Sequence, residues 1–558
     1  MFASYLVFRT AMFFLFLGYI LFFMNLRSVL SASLPQDAIH LLQFRNSLLE
    51  PSRFMLPWNE SVSHCQWPGV SCYSNKDFHV KSLNLTRYGL SGILEISVSN
   101  LCKLPDLMIL DLSGNNFTGK IPTLLGNCSN LNKILLSENG FSESIPAQLF
   151  TSREIVQIDL GYNLLTGIIP PEVGQCNSLE YLGLNNNFLN GEIPVELFTL
   201  PNLKFLYLST NNLTKSLPDF LSFCSLSDFR IHENSFSGPL PVSLSNCHNL
   251  TILYASSNNL GGVIPPNAFE GLLEIEFLYL DRNKFEGEIP ESLWGLRNLN
   301  ELILSDNMFN GSISEDISHF NLLTYLDLSE NNLTGHIPRS ISSLRNLNFL
   351  FLYNNMITGF IPPEIGNCSS LVEIRLQHNF ISGNLPSEIC ELQGLKVFHT
   401  FNNQIEGHLP QCIERMQSLE QLALYNNRLT GSIPFGISNL TNLTFLSLAH
   451  NDLSGAIPSD LGKNNLPGLV KLDLTGNRLD GRIPSGICAG DRLVVLALGN
   501  NNFNSSFPKE IMECKSLNRL ILRDNFLQGS IPDDIEKNSS ISYFDIHGNL
   551  LEGRIPNG

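Results

Sequence analysis

One asparagine recurs along the chain at an almost constant interval, each time within the pattern L-x-L-x-x-N-x-L. Two copies are Leu110–Phe117 and Leu326–Leu333. Most intervals are 24 residues, and the others are 23, 25 or 26. The asparagines, called ladder asparagines below, stand at positions 115, 139, 163, 187, 211, 234, 258, 283, 307, 331, 355, 379, 403, 427, 451, 477, 501, 525 and 549. A period held through nineteen copies predicts a stack of one small repeated unit rather than several independent domains.

The residue types in the pattern predict how each unit folds. Two leucines separated by one residue lie on the same side of a short strand, so both point inward. The asparagine amide donates and accepts hydrogen bonds, and it can satisfy backbone groups that a turn leaves unpaired. One unit cannot bury its apolar side alone, whereas stacked units joined in a parallel sheet can. An atypical first copy contains Leu83 and Leu85, with Tyr88 in the place of the asparagine.

A second motif, Gly-x-Ile-Pro, follows the asparagine in most repeats, as at Gly119–Pro122 and Gly431–Pro434. Glycine permits a backbone conformation closed to other residues, and proline removes an amide donor and ends strand pairing. The side opposite the sheet is therefore predicted to hold extended segments and short helical turns, not long helices.

Together, these motifs resemble the plant-specific class of leucine-rich repeats, over residues 81–558. The preceding segment matches the N-terminal cap of that class at Asp37, Leu41–Phe44, Trp58 and Cys65–Cys72. The resemblance implies an α/β-type repeat solenoid, a right-handed superhelix with a parallel concave β-sheet and a convex side of 3-10 and extended segments. It also implies a cap over residues 34–80 with a Cys65–Cys72 disulfide. About twenty repeats follow over residues 81–558, and we expect them to be incomplete at the C-terminus.

Residues 1–33 predict a secretory signal peptide, with an apolar run from Ala11 to Leu26 followed by the small residues Ser31–Ser33. A signal anchor that stays in the membrane is the alternative. Sequons of the form N-x-Ser/Thr support the secretory route and are expected to carry glycans. They stand at Asn59, Asn84, Asn116, Asn127, Asn212, Asn249, Asn310, Asn332, Asn367, Asn439, Asn442, Asn504 and Asn538. We therefore expect the protein at the cell surface or secreted.

The net charge of -17 argues against nucleic acids and anionic membranes as general partners. Beyond the N-terminal run, no apolar segment is long enough to span a bilayer, so attachment to a membrane would need a helix after Gly558. Histidines and cysteines do not show zinc spacing, and no nucleophile–base spacing recurs. We expect no metal, no cofactor and no catalytic site within these residues.

Ten cysteines lie outside the cap. Six stand at nearly the same place in their repeats: Cys128, Cys176, Cys224, Cys247, Cys368 and Cys514. Cys102, Cys390 and Cys488 share a second place, and Cys412 fits neither. Because core cysteine behaves as a small hydrophobe, we predict free buried thiols at the nine cysteines of these two sets. Bridges Cys224–Cys247 and Cys390–Cys412 remain the alternative, since spacing alone does not establish the required geometry.

Positions six, four and two residues before each ladder asparagine alternate with the buried leucines, so they are predicted to face outward from the sheet. The middle repeats carry aromatic rings and a few charges there: Phe205, Tyr207, Arg230, His232, Tyr254, Phe277, Tyr279, Tyr325, Asp327, Phe349, Phe351, Tyr353, Glu373, Arg375, His399, Phe401, Tyr425 and Phe445. An exposed aromatic stripe is typical of a recognition surface, although aromatic residues are also good strand formers. We predict that an extended peptide binds along it.

Some receptors of the resembled family hold a terminal carboxylate with an Arg-x-Arg pair at the first two of these positions. Here Asp228 precedes Arg230 and Glu373 precedes Arg375, so an acid replaces the first arginine. Arg519 stands four residues before Arg523 instead of two. The sequence therefore argues against such a clamp.

The resemblance implies the ectodomain of a plant cell-surface receptor kinase. Such a receptor binds an extracellular peptide or protein, recruits a shorter leucine-rich-repeat co-receptor kinase, and acts in immunity or development. It also implies a transmembrane helix and a Ser/Thr kinase domain, neither of which is found among these residues. The alternatives are a receptor-like protein without a kinase and a secreted inhibitor of a microbial wall-degrading enzyme.

Overall fold

The computed structural model describes residues 34–48, 56–74, 78–219, 224–461, 468–532 and 540–555. The predicted signal peptide and the sequon at Asn538 lie outside these residues. The chain divides into two compact units, Met1–Thr166 with Gln175–Leu179 and Gly167–Gly174 with Glu180–Gly558. Within the described residues, no helix is both long enough and apolar enough to cross a bilayer.

The first unit begins with a cap built on the α-helix Gln36–Asn46. The Asp37 carboxylate accepts a hydrogen bond of 2.8 Å from the backbone N–H of Val80, and this bond ties the helix to the first repeat. Trp58 and Trp67 stack with ring centroids 5.4 Å apart. The predicted Cys65–Cys72 disulfide forms. The cap therefore covers apolar residues that the first repeat would otherwise expose.

Each repeat of the first unit contains a first strand, which carries the leucines, and a second strand after the asparagine position. The first strands are Val80–Asn84, Ile109–Asp111, Lys133–Leu135 and Gln157–Asp159. Val80–Asn84 also pairs antiparallel with the strand Val70–Cys72. The second strands are Ser91–Ile93, Asn116–Gly119 and Gly140–Ser144. The helical segments are the α-helix Leu94–Leu101 and the 3-10 helices His64–Gln66, Thr123–Asn127 and Ala147–Phe150. Two more elements, Leu164–Gly167 and Pro171–Gln175, contain residues of both units.

The first strands of the second unit form a parallel sheet in which each strand pairs with that of the next repeat. Leu326 pairs with Leu350, and Leu350 pairs with Ile374, so the same repeat position meets itself along the sheet. These strands are Tyr181–Gly183, Phe205–Tyr207, Asp228–Arg230, Ile252–Tyr254, Phe277–Tyr279, Glu301–Ile303, Tyr325–Asp327, Phe349–Phe351, Glu373–Arg375, Val397–His399, Gln421–Ala423, Phe445–Ser447, Lys471–Asp473, Val495–Ala497, Arg519–Ile521 and Tyr543–Asp545.

Short elements complete each repeat of the second unit. Second strands are Phe188–Gly191, Asn212–Lys215, Ser235–Gly238, Asn259–Val263, Lys284–Glu288, Met308–Asn310, Ser382–Asn384, Gln404–His408, Arg428–Gly431, Asp452–Ala456, Arg478–Gly481, Asn502–Phe503, Gln528–Gly529 and Leu550–Leu551. The 3-10 helices are Val195–Thr199, Val242–Asn246, Glu315–His319, Arg339–Ser343, Pro363–Asn367, Ser387–Glu391, Gln411–Arg415, Phe435–Asn439, Ser485–Cys488 and Lys509–Glu513, with one short α-helix, Glu291–Trp294. The predicted architecture of parallel strands and short helical turns is confirmed.

The ladder asparagines hold neighbouring repeats together. The side-chain amide of Asn331 donates to the carbonyl oxygens of Leu304, Leu328 and Ser329 at 3.0, 3.3 and 3.0 Å. Its Oδ1 accepts a hydrogen bond of 2.9 Å from the backbone N–H of Phe309 in the preceding repeat. One side chain thus satisfies four buried backbone groups from two repeats, as the pattern predicted.

The cysteines outside the cap differ from the prediction. Four disulfides join neighbouring repeats, so the free thiols predicted at seven of these positions, all except Cys412, are wrong, and the two alternative bridges are both present. The pairs are Cys102–Cys128, Cys224–Cys247, Cys390–Cys412 and Cys488–Cys514. Cys176 and Cys368 are free and buried, as predicted. The reason is stacking: separations of 22 to 26 residues bring the Cα atoms of each pair to 4.5–5.9 Å.

Candidate ligand-binding face

The outward side chains of the first strands in the second unit form one surface, which we call the aromatic face. It comprises the residues six, four and two positions before each ladder asparagine, from the repeat of Asn187 to the repeat of Asn451. The predicted ligand-binding residues lie on this face: Phe205, Tyr207, Arg230, His232, Tyr254, Phe277, Tyr279, Tyr325, Phe349, Phe351, Tyr353, Arg375, His399, Phe401 and Tyr425.

The rings of the aromatic face are less exposed to solvent than the sequence predicted. Phe205 is 36% exposed, and the other rings of the predicted set are partly buried. Rings of adjacent repeats cover one another: Phe401 and Tyr425 stack with centroids 4.2 Å apart. Because the rings are already fixed by their neighbours, a ligand would order few side chains when it binds, which lowers the entropic cost of binding.

A group of charged and aromatic side chains surrounds Arg230. Its guanidinium donates to both carboxylate oxygens of Asp228, at 2.9 and 2.8 Å. The guanidinium also lies against the rings of Tyr207 and Tyr254, 4.8 and 5.1 Å from their centroids. The Tyr207 hydroxyl donates to Asp228 at 2.9 Å. Burial and the adjacent Asp228 carboxylate raise the pKa of Tyr207 to about 12, so its hydroxyl stays a donor.

A second tyrosine pair continues the face toward the next repeats. Tyr254 and Tyr279 stack almost parallel, with centroids 4.2 Å apart and an angle of 7° between the ring planes. The Tyr279 hydroxyl donates to the Glu301 carboxylate. Burial and this hydrogen bond raise the pKa of Tyr279 above its usual value. His232 meets the edge of Tyr254 at 6.2 Å, and burial lowers the pKa of His232, which favours the neutral imidazole.

The centre of the face consists of aromatic rings with little polar character. Tyr325 lies 5.3 Å from Phe349 and 5.4 Å from Phe351, measured between ring centroids. Phe351 in turn lies 6.4 Å from Tyr353. Contacts at this range with tilted or edge-on rings are the favoured geometry for aromatic pairs. This group offers a ligand an apolar surface made of four rings.

The two arginines of the predicted set are both neutralised within the protein. Arg375 donates to Glu373 and lies over the Phe351 ring at 5.6 Å, while Arg230 is held by Asp228. Each pair joins outward positions of one strand. In both pairs the acid stands two residues before the arginine, where an Arg-x-Arg clamp would have its first arginine.

The last part of the face contains His399, Phe401 and Tyr425. Phe401 is held between His399, whose ring centroid is 6.1 Å away, Tyr425, and His378 at 5.3 Å. Burial and then the positive charge of Arg375 lower the pKa of His399. Gln377 lies one repeat before Phe401, at the same position two residues before the ladder asparagine, and it is only 7% exposed.

Tyr181 and Gln377 are two members of the face that were not among the predicted site residues. Tyr181 lies 5.2 Å from Tyr207 and 6.2 Å from Phe205, so it extends the aromatic face by one repeat. Its place six residues before Asn187 could have identified it. Gln377 gave no such signal, because a polar residue at an outward strand position is ordinary.

Within the described residues, one group could suggest a metal site, namely His64, Cys65 and Cys72. Both sulfur atoms are joined in the cap disulfide, so they cannot act as thiolate ligands.

Family models match the cap and much of the repeat array. The Leucine rich repeat N-terminal domain matches residues 34–73, and the Leucine-rich repeat region matches residues 303–433. Leucine rich repeat models match residues 248–309, 417–463, 106–128, 178–200, 202–224 and 468–489.

The chain is similar to solved ectodomains of plant receptors over most of its length. One is the Arabidopsis receptor kinase HAESA in complex with the peptide hormone IDA and the co-receptor SERK1. It is 30% identical with a TM-score of 0.77, and the match covers 94% of this chain and 95% of that chain. The structure of PEPR1-AtPEP1 is 30% identical with a TM-score of 0.76, and the match covers 93% of this chain and 79% of that chain.

Curated Arabidopsis relatives match shorter segments. The LRR receptor-like serine/threonine-protein kinase GSO2 is 34% identical over 137 residues, which is 23% of this chain and 10% of GSO2. The chain thus aligns with about a tenth of the length of this relative.

Proposed function

This chain belongs to the plant leucine-rich-repeat receptor kinases through its repeat ectodomain, and we propose that it binds an extracellular peptide along the aromatic face. Binding recruits a co-receptor kinase with a shorter leucine-rich-repeat ectodomain, and a Ser/Thr kinase domain of the receptor carries the signal into the cell. The ligand is a peptide or an extended segment of a protein.

The observation that carries this proposal is the set of ring contacts that neighbouring repeats form at several places along the aromatic face. Phe205 and Tyr207 contact Tyr181, Tyr254 stacks on Tyr279, and Phe401 stacks on Tyr425. A structural role in the sheet does not require rings in so many outward positions, because the buried leucines already form the core. Aromatic residues are strongly enriched where proteins bind proteins and peptides. The similar ectodomain of HAESA was solved with the peptide hormone IDA bound, which supports the same use here.

The disulfides support a route through the secretory pathway. Five disulfides join ten of the twelve cysteines, and such bonds persist in oxidising compartments. We propose that residues 1–33 are the signal peptide that starts this route. We also propose that the sequons carry glycans and that the ectodomain faces the cell exterior, where it acts in immunity or development.

The proposal is tested by removing rings from the centre of the face. A purified wild-type ectodomain is used to capture peptides from a random linear library, and their affinities are measured by calorimetry. The triple variant Phe349→Ala, Phe351→Ala and Tyr353→Ala is expected to weaken binding by at least tenfold, because hot-spot aromatics contribute about 2 kcal/mol or more each. Unchanged affinity in a folded triple variant would refute the proposal.

A matched control removes three exposed phenylalanines from outside the face. Phe188, Phe380 and Phe526 each follow a ladder asparagine and are 60%, 50% and 50% exposed. Their replacement by alanine deletes the same number of rings from the same unit. We expect the peptides to bind this control as they bind the wild type.

A further inference from the structure

The outward side chains of the first strands differ in kind between the two units. Over most repeats of the second unit they form the aromatic face. In the four repeats of the first unit, the same positions, counted from Tyr88 or a ladder asparagine, carry no aromatic ring and are polar except for Ile109, Leu135 and Gly161. We call this surface of the first unit the polar face. Lysine, aspartate and serine recur on it, and these residues are depleted where proteins bind proteins, so its composition is not that of a peptide-binding surface.

One N-x-Ser/Thr sequon lies on the polar face itself, at Asn84. The strand Val80–Asn84 turns Leu83 inward, where it is buried, and Asn84 outward, where it is exposed. Other sequons lie elsewhere in their repeats: Asn116 begins a second strand, and Asn127 ends a 3-10 helix. Among the sequons of the described residues, Asn84 alone occupies an outward position of a first strand. A glycan at Asn84 therefore starts above the sheet, whereas the others start away from it.

The Asn84 carboxamide is held by its neighbours in a way that leaves one N–H bond for a sugar. The backbone N–H and the hydroxyl of Thr86 donate to Asn84 Oδ1 at 3.1 and 2.8 Å. Asn84 Nδ2 donates to Asp111 Oδ2 at 3.2 Å. A primary carboxamide carries two N–H hydrogens, so a sugar that replaces one of them leaves the other for Asp111. Attachment of a glycan is therefore compatible with all three of these hydrogen bonds.

The strands beside Asn84 offer further polar groups to a chain of sugars that runs across the sheet. Asn84 pairs with Asp111, Asp111 pairs with Leu135, and Leu135 pairs with Asp159. Because neighbouring strands lie about 4.8 Å apart, these positions extend about 14 Å from Asn84. Lys133, on the same strand as Leu135, is partly exposed and adds an ammonium donor. Sugar hydroxyls both donate and accept hydrogen bonds, so carboxylates, an ammonium group and serine hydroxyls can all pair with them.

We propose that Asn84 carries an N-linked glycan that lies along the polar face and closes it to ligands, so that peptide binding is confined to the aromatic face. Transfer of the glycan forms a bond between Asn84 Nδ2 and the anomeric carbon of the first sugar. It breaks the bond from that carbon to the diphosphate of a lipid-linked oligosaccharide, and one proton leaves Nδ2. This inference rests on the proposed function, because it presupposes the secretory route and names the part of the sheet that the peptide does not use.

The first test is whether Asn84 is modified. The chain is secreted from insect cells, and trypsin, which cuts after Lys81 and Arg87, releases the peptide Ser82–Arg87. We expect mass spectrometry to find this peptide as a glycopeptide in the wild type and in Thr86→Ser, which keeps the sequon. In Thr86→Ala, which removes the sequon but keeps the Asn84 side chain, the same peptide is unmodified. An unmodified peptide in the wild type overturns the inference.

The second test is whether the glycan covers the polar face. Lys133 lies two strands from Asn84, and its reaction with an amine-reactive ester is followed by mass spectrometry, with the exposed Lys103 as the internal reference. We expect Lys133 to react several-fold faster in Thr86→Ala than in the wild type or Thr86→Ser. Asn116→Gln, which removes a sequon from a second strand, leaves the rate at Lys133 unchanged. Equal rates at Lys133 in Thr86→Ala and the wild type overturn the inference.

Peptide affinity separates this inference from the proposed function. Peptides captured on the aromatic face bind Thr86→Ala with unchanged affinity, because their contacts lie in the second unit. A changed affinity overturns the confinement of the glycan to the polar face. The triple variant at Phe349, Phe351 and Tyr353 keeps the Asn84 sequon, so its result bears on the proposed function alone.

Discussion

Arg230 and Asp228 form a two-point ion pair on one strand, with nitrogen–oxygen distances of 2.9 and 2.8 Å. The Asp228 side chain is 6% exposed and that of Arg230 is 35% exposed, so the carboxylate is desolvated and the guanidinium is partly open to solvent. The pair keeps a cation on the aromatic face while hiding its charge from a ligand.

Asp228→Asn is therefore expected to change both stability and ligand preference. The free energy of unfolding should fall by about 1–2 kcal/mol, because hydrogen bonds to a charged partner are lost and Arg230 remains partly exposed. The freed guanidinium should then favour peptides with a free C-terminal carboxylate over the same peptides with an amidated end. Urea unfolding and calorimetry measure the two effects. Tyr207→Phe is the control, since it removes one hydrogen bond to Asp228 and leaves the ion pair intact.

Asn331→Ala should destabilise the protein locally. The substitution leaves the N–H of Phe309 and three carbonyl groups without their partner, at a cost of about 2–4 kcal/mol. In a repeat stack this cost stays near the altered coil, so hydrogen exchange should accelerate mainly around Leu304, Phe309 and Leu328. Asn384→Ala removes an exposed asparagine at the end of a second strand and should leave exchange unchanged. Equal effects of the two substitutions would contradict the role of the ladder.

The cysteine pairing predicts a stepwise labelling pattern. Iodoacetamide should not label the folded protein, because Cys176 and Cys368 are buried and burial raises the pKa of each thiol to about 12. Unfolding without a reductant should expose two thiols per chain, and reduction should expose all twelve. Mass spectrometry counts the labels. More than two labels after unfolding alone would show that one of the disulfides does not form.

Stability should decrease as the pH falls below about 6.5, the usual pKa of histidine. Burial lowers the pKa of His232 and His399, so the unfolded chain binds more protons than the folded chain between the lowered pKa and the usual one. Stability therefore rises with pH through this window and is lost below it. His232→Phe with His399→Phe should flatten the dependence of the thermal midpoint on pH. His408→Phe, at an exposed histidine, should leave it unchanged.

The features that recur in every repeat could be predicted from the sequence. The features that depend on the placement of individual side chains could not. Asn331 and Leu326 recur at fixed intervals, so their roles follow from the period. Cys102 and Cys128 occupy two different repeat positions, and only the stacking distance shows that their side chains meet. The stack of Tyr254 on Tyr279 depends on side-chain rotamers, which no periodic pattern specifies.

Because the strand register is constant, equivalent outward side chains of neighbouring repeats lie at a fixed spacing along the aromatic face. Neighbouring strands lie about 4.8 Å apart, whereas an extended peptide advances about 3.3 Å per residue, so three peptide residues span about two strands. A peptide lying across the strands would return to an equivalent position only at every third residue. The twelve repeats from Asn187 to Asn451 would match about 16 extended residues. If the peptide shifted by one residue, each of its side chains would meet a different position relative to the rings of the face. The face can therefore distinguish peptides by their register as well as by their composition.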